Sequence, residues 1–218
     1  MEDLIFAYSD RFPVKTARFA NVAFSNGSLP AGFLARMQKL QPLSAPSDVK
    51  RYFVSPQESG QICMLACMLG ENREIFFPKL AQEQMMTFDQ IATNLLTEQG
   101  YTVLPCESDE EAVEKAEALK QGSRAYPVHY APSNTSGEKA YEEFYVEGES
   151  VDENRLQALG VVTDKPIPER AKLMHLFDQL TAAFEQAETP KEEVVSILKD
   201  YLPNFDHIET GKSLDSKM

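Results

Sequence analysis

Short apolar runs alternate with capped helical segments along residues 14–122, and this alternation limits the fold more than any other feature. VKTARFANVAF (14–24) is rich in β-branched and aromatic residues and reads as a buried strand. SNGS (25–28) is a turn, and Ser28 is placed to cap a helix over LPAGFLARMQKL, with Pro30 in its first turn. KRYFVS (50–55) reads as a short strand. Ser55 then precedes a helix that starts on Pro56, runs to about Leu69 and ends at Gly70. EIFFP (74–78) is a second apolar strand. Thr87 caps FDQIATNLLTEQ, Gly100 ends it, and YTVLP (101–105) is a further strand. SDEEAVEKAEALKQG (108–122) is a helix capped by Ser108 or Asp109, with acids at its positive end and Gly122 at its close. Strands and helices in this order predict an α/β architecture with a partly parallel sheet.

The flanks read differently. Residues 2–12 form an amphipathic helix with Leu4, Ile5 and Tyr8 on one side, stopped by Pro13. After YPVHYAP (126–132) the chain turns polar, acidic and loop-like. Two helices follow, about 168–187 and 190–201, and then a polar tail. Three segments are expected: 1–80 with strands and helices of a Rossmann-like sheet, 81–160 as a small α/β substrate-binding region, and 161–218 as C-terminal helices and tail.

The formal net charge of −13 disfavours a broad nucleic-acid surface, because phosphates are repelled. It leaves room for one small anion held by a few local cations. No apolar run reaches the roughly 18 residues of a membrane span. MEDLIFAYSDRF carries acids early and does not read as a signal peptide, so a cytoplasmic location is expected. Cys63, Cys67 and Cys106 form no C-x-x-C pair and read as buried core thiols. His129, His175 and His207 are scattered and read as ordinary histidines, so no metal site is expected.

Redox machinery is not legible. A dinucleotide fold needs glycines between a strand and a helix so that bare N–H groups meet the pyrophosphate. No two glycines here are separated by one residue, and none of the eight tyrosines has a Lys four positions later. That Tyr–Lys spacing lets the ammonium lower the phenol pKa for proton exchange. No catalytic residues are assigned.

Five ordered segments carry a resemblance. They are Arg18-Phe19-Ala20-Asn21-Val22, Gly27-Ser28-Leu29 to Phe33, Lys50-Arg51-Tyr52-Phe53, Glu74-Ile75-Phe76-Phe77-Pro78-Lys79, and Gly137-Glu138-Lys139 with Tyr141-Glu142-Glu143. In this order the chain resembles the extended short-chain dehydrogenase/reductases that act on nucleoside-diphosphate sugars, most closely the UDP-N-acetylglucosamine 4,6-dehydratase and polysaccharide-biosynthesis group. The resemblance implies the C-terminal part of an NAD(P)-binding Rossmann-type fold. It also implies that the N-terminal helix is the end of the helix that bears the Tyr–Lys pair, with the catalytic and cofactor half lying upstream. Such enzymes oxidise C4 of the sugar with NAD(P), eliminate water across C5–C6 and return the hydride to C6.

The implied substrate-binding residues are Asn21, Ser28, Leu29, Arg51, Glu138 and Lys139. NAD(P) is expected in the parent enzyme and not on this chain alone. Thr135-Ser136 replaces the Arg-Pro that precedes Gly-Glu-Lys in the group, a departure at one phosphate contact the resemblance implies, for which Lys139 or Arg51 could compensate. A 4-epimerase, a 5-inverting dehydratase and a non-catalytic sugar-nucleotide module stay open as alternatives. Strands cut from a larger sheet expose apolar edges, so the chain is expected to self-associate or to need a partner.

Overall fold

The computed structural model describes residues 1–133, 143–205 and 207–209. The chain is mixed α/β, as the alternation predicts. The N-terminal helix α1 covers Glu2–Phe6 and gives way to turns before Pro13, shorter than the 2–12 helix read from sequence. The run 14–24 also divides. β1 (Lys15–Ala17) enters one sheet, whereas β2 (Asn21–Val22) pairs elsewhere. The break falls at Arg18, whose guanidinium is drawn into an ion-pair network.

Next come α2 (Leu29–Gln38), β3 (Leu43–Pro46), β4 (Lys50–Arg51), β5 (Phe53–Val54) and α3 (Pro56–Leu69). They are followed by β6 (Glu74–Pro78), β7 (Met86–Thr87), α4 (Phe88–Glu98), β8 (Thr102–Cys106) and α5 (Asp109–Ala116). A 3-10 turn, Glu117–Gln121, closes on Gly122 at φ 87°, so the 108–122 helix read from sequence is an α-helix extended by a tighter turn. The rest comprises β9 (Ala125–Ala131), β10 (Ser150–Asp152), β11 (Leu159–Thr163), α6 (Arg170–Phe184) and α7 (Lys191–Tyr201).

Two sheets carry the fold. One has the order β1-β6-β11-β10; β1 runs parallel to β6, and β11 runs antiparallel to β6 and β10. The other, β3-β9-β8, is wholly parallel. Two short ribbons, β2-β5 and β4-β7, complete the pairing. The first sheet draws strands from residues 15–17, 74–78, 150–152 and 159–163. β3, β7, β10 and β11 are not legible in the sequence reading. β11 follows a long polar stretch, and only its LGVVT core signals a strand.

Residues 74–78 are buried on both faces because alternate side chains enter different cores. Ile75 and Phe77 pack with Phe6, Val14 and Val162. Phe76 packs with Ile62, Ala66, Leu159 and Val161 beneath α3. The parallel sheet has its own core, with Phe33, Leu43, Leu96, Tyr126 and Val128 at its centre. There the Tyr126 hydroxyl donates to the Gln41 carbonyl at 2.6 Å, so burial of the phenol leaves no donor unmet.

α3 starts with a reciprocal cap: Glu58 N–H donates to Ser55 Oγ at 3.1 Å, and Ser55 N–H donates to Glu58 Oε2 at 2.7 Å. Ser55→Ala is expected to lower stability by about 1 kcal/mol, read as a shifted urea midpoint at unchanged m-value. An unchanged midpoint would show that the cap carries no weight. The cysteines correct the sequence reading. Cys106 is buried, but Cys63 and Cys67 are exposed, because α3 buries only Ile62 and Ala66.

Candidate functional site

A cleft of about 550 Å³ opens where the β6 end, the segment after β4 and residues 143–145 meet. Its walls are aromatic. Phe77 stacks on Phe144 with ring centres 5.9 Å apart, Tyr52 tilts against Phe144 at 5.7 Å, and Tyr145 tilts against Phe77 at 5.3 Å. Lys79, Glu143 and Glu153 supply charge at the lining. The Lys79 ammonium donates to the Glu153 carbonyl at 2.6 Å, which leaves it two further donors. Planar walls beside one ammonium are suited to stack a ring and hold an anionic group next to it.

The sequence segments converge here. Tyr52 comes from the third segment, Phe77 to Lys79 from the fourth and Glu143 from the fifth. The first segment supports them, because Asn21 N–H donates to the Tyr52 carbonyl at 3.1 Å. Asn21 is thus beside the cleft, in register with Phe53.

The other expected residues stand apart from the lining. Arg51 is buried, 8% exposed, with Nη1 on the Lys50 carbonyl at 2.8 Å. Ser28 caps α2 by accepting from Ala31 N–H at 3.4 Å, and Leu29 packs on the core of the parallel sheet. Glu138 and Lys139 lie outside the described residues. Sequence reasoning did not single out Tyr52, Lys79, Phe144 or Tyr145 as site residues. Tyr52 and Lys79 sit inside segments it quoted, and the aromatic content of those segments was the available signal.

One network fixes the outer wall. Arg18 donates through Nε and Nη2 to Glu2 at 3.0 and 2.8 Å, and through Nη1 and Nη2 to Glu149 at 2.7 Å each. Nη1 also donates to the Phe144 carbonyl at 2.8 Å, and Lys165 reaches Glu149 at 2.8 Å. Burial alone raises the Glu149 pKa, but the hydrogen bonds from Arg18 and Lys165 more than reverse that and hold it at about 2. The same carboxylates raise the Arg18 pKa against its own burial. Arg18 therefore ties α1, the start of the cleft wall and the segment after β11 to one point.

Comparison with known proteins adds the following. The sequence profile of the polysaccharide biosynthesis protein family matches residues 4–164. No curated protein matches. Among solved structures, the X-ray structure of Pen from Bacillus thuringiensis superposes with a TM-score of 0.54 at 16% identity. The match covers 83% of this chain and 55% of that one, so the chain spans about half the length of that protein. The likeness shows a shared Rossmann-like partial fold.

Proposed function

Because the chain belongs to the polysaccharide biosynthesis protein family, we propose that it supplies the sugar-nucleotide pocket of a UDP-N-acetylglucosamine-type 4,6-dehydratase. The observation that carries this reading is the convergence of four resembling segments on one aromatic cleft. The rings of Phe144 and Tyr145 offer a stacking face to a base or sugar, with the buried Tyr52 behind Phe144, and Lys79 offers a point charge to a diphosphate. Asn21 and the Arg18 network position these groups from behind.

In this reading NAD(P) is held by residues outside this chain. A dinucleotide pyrophosphate needs an open helix N-terminus. α3, α4 and α5 each carry an acid in the first turn (Glu58, Asp89 and Asp109 to Glu111). Carboxylates already occupy those anion positions, so these helices do not fit a pyrophosphate.

The test is calorimetric titration of the 218-residue chain with UDP, UDP-N-acetylglucosamine and NADP. The UDP ligands are expected to bind, and Lys79→Ala to weaken them about tenfold through loss of one charge-assisted contact. Stoichiometric binding of NADP without binding of either UDP ligand would overturn the reading. Among sugar-nucleotide reactions, product analysis by NMR separates dehydration from 4-epimerisation.

A further inference from the structure

Residues 63–68 of α3 carry four sulfur side chains: Cys63, Met64, Cys67 and Met68. All four are exposed, Met64 at 62% and Met68 at 79%. Ile62 and Ala66 are the buried residues of this helix. Each cysteine follows one of them, about 100° further round the helix, so both thiols stand on the same rim. That rim borders a groove of about 340 Å³ between α3 and β1, lined by Pro13, Lys15, Thr16 and Ala17 together with both cysteines.

The groove is chemically selective. Among the described residues no carboxylate lines it, in a chain with 34 Asp and Glu. Its side-chain electron donors are the two sulfurs and the Thr16 hydroxyl. That hydroxyl oxygen is buried and has no hydrogen-bond partner among the described residues. The charge beside the thiols is positive, because Lys15 Nζ donates to the Cys67 carbonyl at 3.0 Å. The thiols cannot close on each other while α3 is intact. Side chains four apart on a helix hold their Cβ atoms about 5–6 Å apart, whereas a disulfide needs roughly 3.5–4.5 Å. A metal ion spans the difference, since two metal–sulfur bonds of about 2.3 Å set the sulfurs about 4.6 Å apart.

We propose that Cys63 and Cys67 form a bis-thiolate site for a soft monovalent cation, Cu(I). Thiolate and thioether ligands favour Cu(I) over hard cations, which need oxygen. Zn²⁺ takes four ligands in a closed site, and among the described residues no third His, Cys, Asp or Glu joins the pair. Cu(I) is satisfied by two sulfurs in line. Loading releases both thiol protons, transfers no electron and leaves a complex with one negative charge, which the Lys15 ammonium offsets. The thiolates also give the Thr16 hydroxyl an acceptor. Met64 stands three residues before Cys67 and so adds a soft thioether beside it. The site is separate from the aromatic cleft and does not depend on the sugar-nucleotide reading.

The test is anaerobic titration of the reduced 218-residue chain with Cu(I) against the coloured chelator bathocuproine disulfonate. The chain is expected to withdraw one equivalent of copper, with ultraviolet thiolate-to-copper absorption and a sulfur-only shell by X-ray absorption. Cys63→Ser and Cys67→Ser are each expected to weaken the uptake on the order of 100-fold at unchanged circular dichroism. Cys106→Ser is expected to keep it, because that thiol is buried elsewhere. The X-ray absorption arm uses the wild-type chain and stands even where a variant fails to fold. No withdrawal of copper from the chelator, uptake that survives both serines, or a shell of oxygen and nitrogen would overturn the proposal. Zn²⁺ held as tightly as Cu(I) would overturn it too.

Discussion

Gly160→Ala is expected to cost about 3 kcal/mol, the upper part of the range for overpacking a close-packed core. Gly160 lies opposite Phe77 in the β11-β6 pair. A Cβ at 160 would stand 2.2 Å from Phe77 Cζ, with two more ring atoms within 2.9 Å. The ring cannot simply tilt away. It is 2% exposed and already packs against both Phe144 and Tyr145. Displacing it therefore opens the cleft wall as well as the core. The urea midpoint should fall at unchanged m-value, and nucleotide binding should weaken with it. Phe77→Leu alone destabilises by leaving a cavity, but combined with Gly160→Ala it should cost less than the sum of the two, because the leucine frees the space the methyl needs. A Gly160→Ala chain within 0.5 kcal/mol of wild type (the spread of ordinary surface substitutions) would refute this packing.

The second large effect concerns the Arg18 network. Among the described residues, Arg18→Met leaves the buried Glu149 with Lys165 and the Val146 amide as partners, and should destabilise by about 3 kcal/mol. Glu149 also sets an acid limit. Its pKa falls from 4.5 to about 2 on folding. A depressed carboxylate contributes stability that is fully present above pH 4.5 and is lost as pH falls toward about 2. The contribution is about 2–3 kcal/mol, the lower figure allowing for the part of Arg18 that water reaches. Urea unfolding at descending pH should show this limb in wild type. Glu149→Gln should start from lower stability and show a flatter limb. Equal limbs in both chains would place the acid sensitivity elsewhere. Phe144 hangs from the same guanidinium, so Arg18→Met should also weaken UDP binding while Ser55→Ala leaves it alone.

Local rules alone determined much of this protein. Ser28 caps the helix it was assigned, Ser108 rather than Asp109 caps α5, and Ser55, read as the residue before a helix, caps α3, because a hydroxyl accepts from an amide three residues on whatever surrounds it. EIFFP is buried as read, because the four apolar residues Ile75 to Pro78 leave no polar face to expose, and Glu74 at its start is buried against Arg155. The ordered segments also pointed to the family that the profile match shows.

Tertiary structure decided the rest. The 14–24 run has one composition but two destinations, since its strand partners lie at residues 53–54 and 74–76 and are not encoded locally. α3 reads as a core helix from its composition, yet only one of its faces has a neighbour, so Cys63 and Cys67 are exposed. The cleft depends on Phe144 and Tyr145 reaching Phe77 across more than 60 positions, a closure set by the Arg18–Glu149 pair rather than by any spacing in the chain. Caps and burial follow from near neighbours in sequence. Sheet partners, exposed faces and binding walls follow from which distant surfaces meet, and only the folded chain settles that.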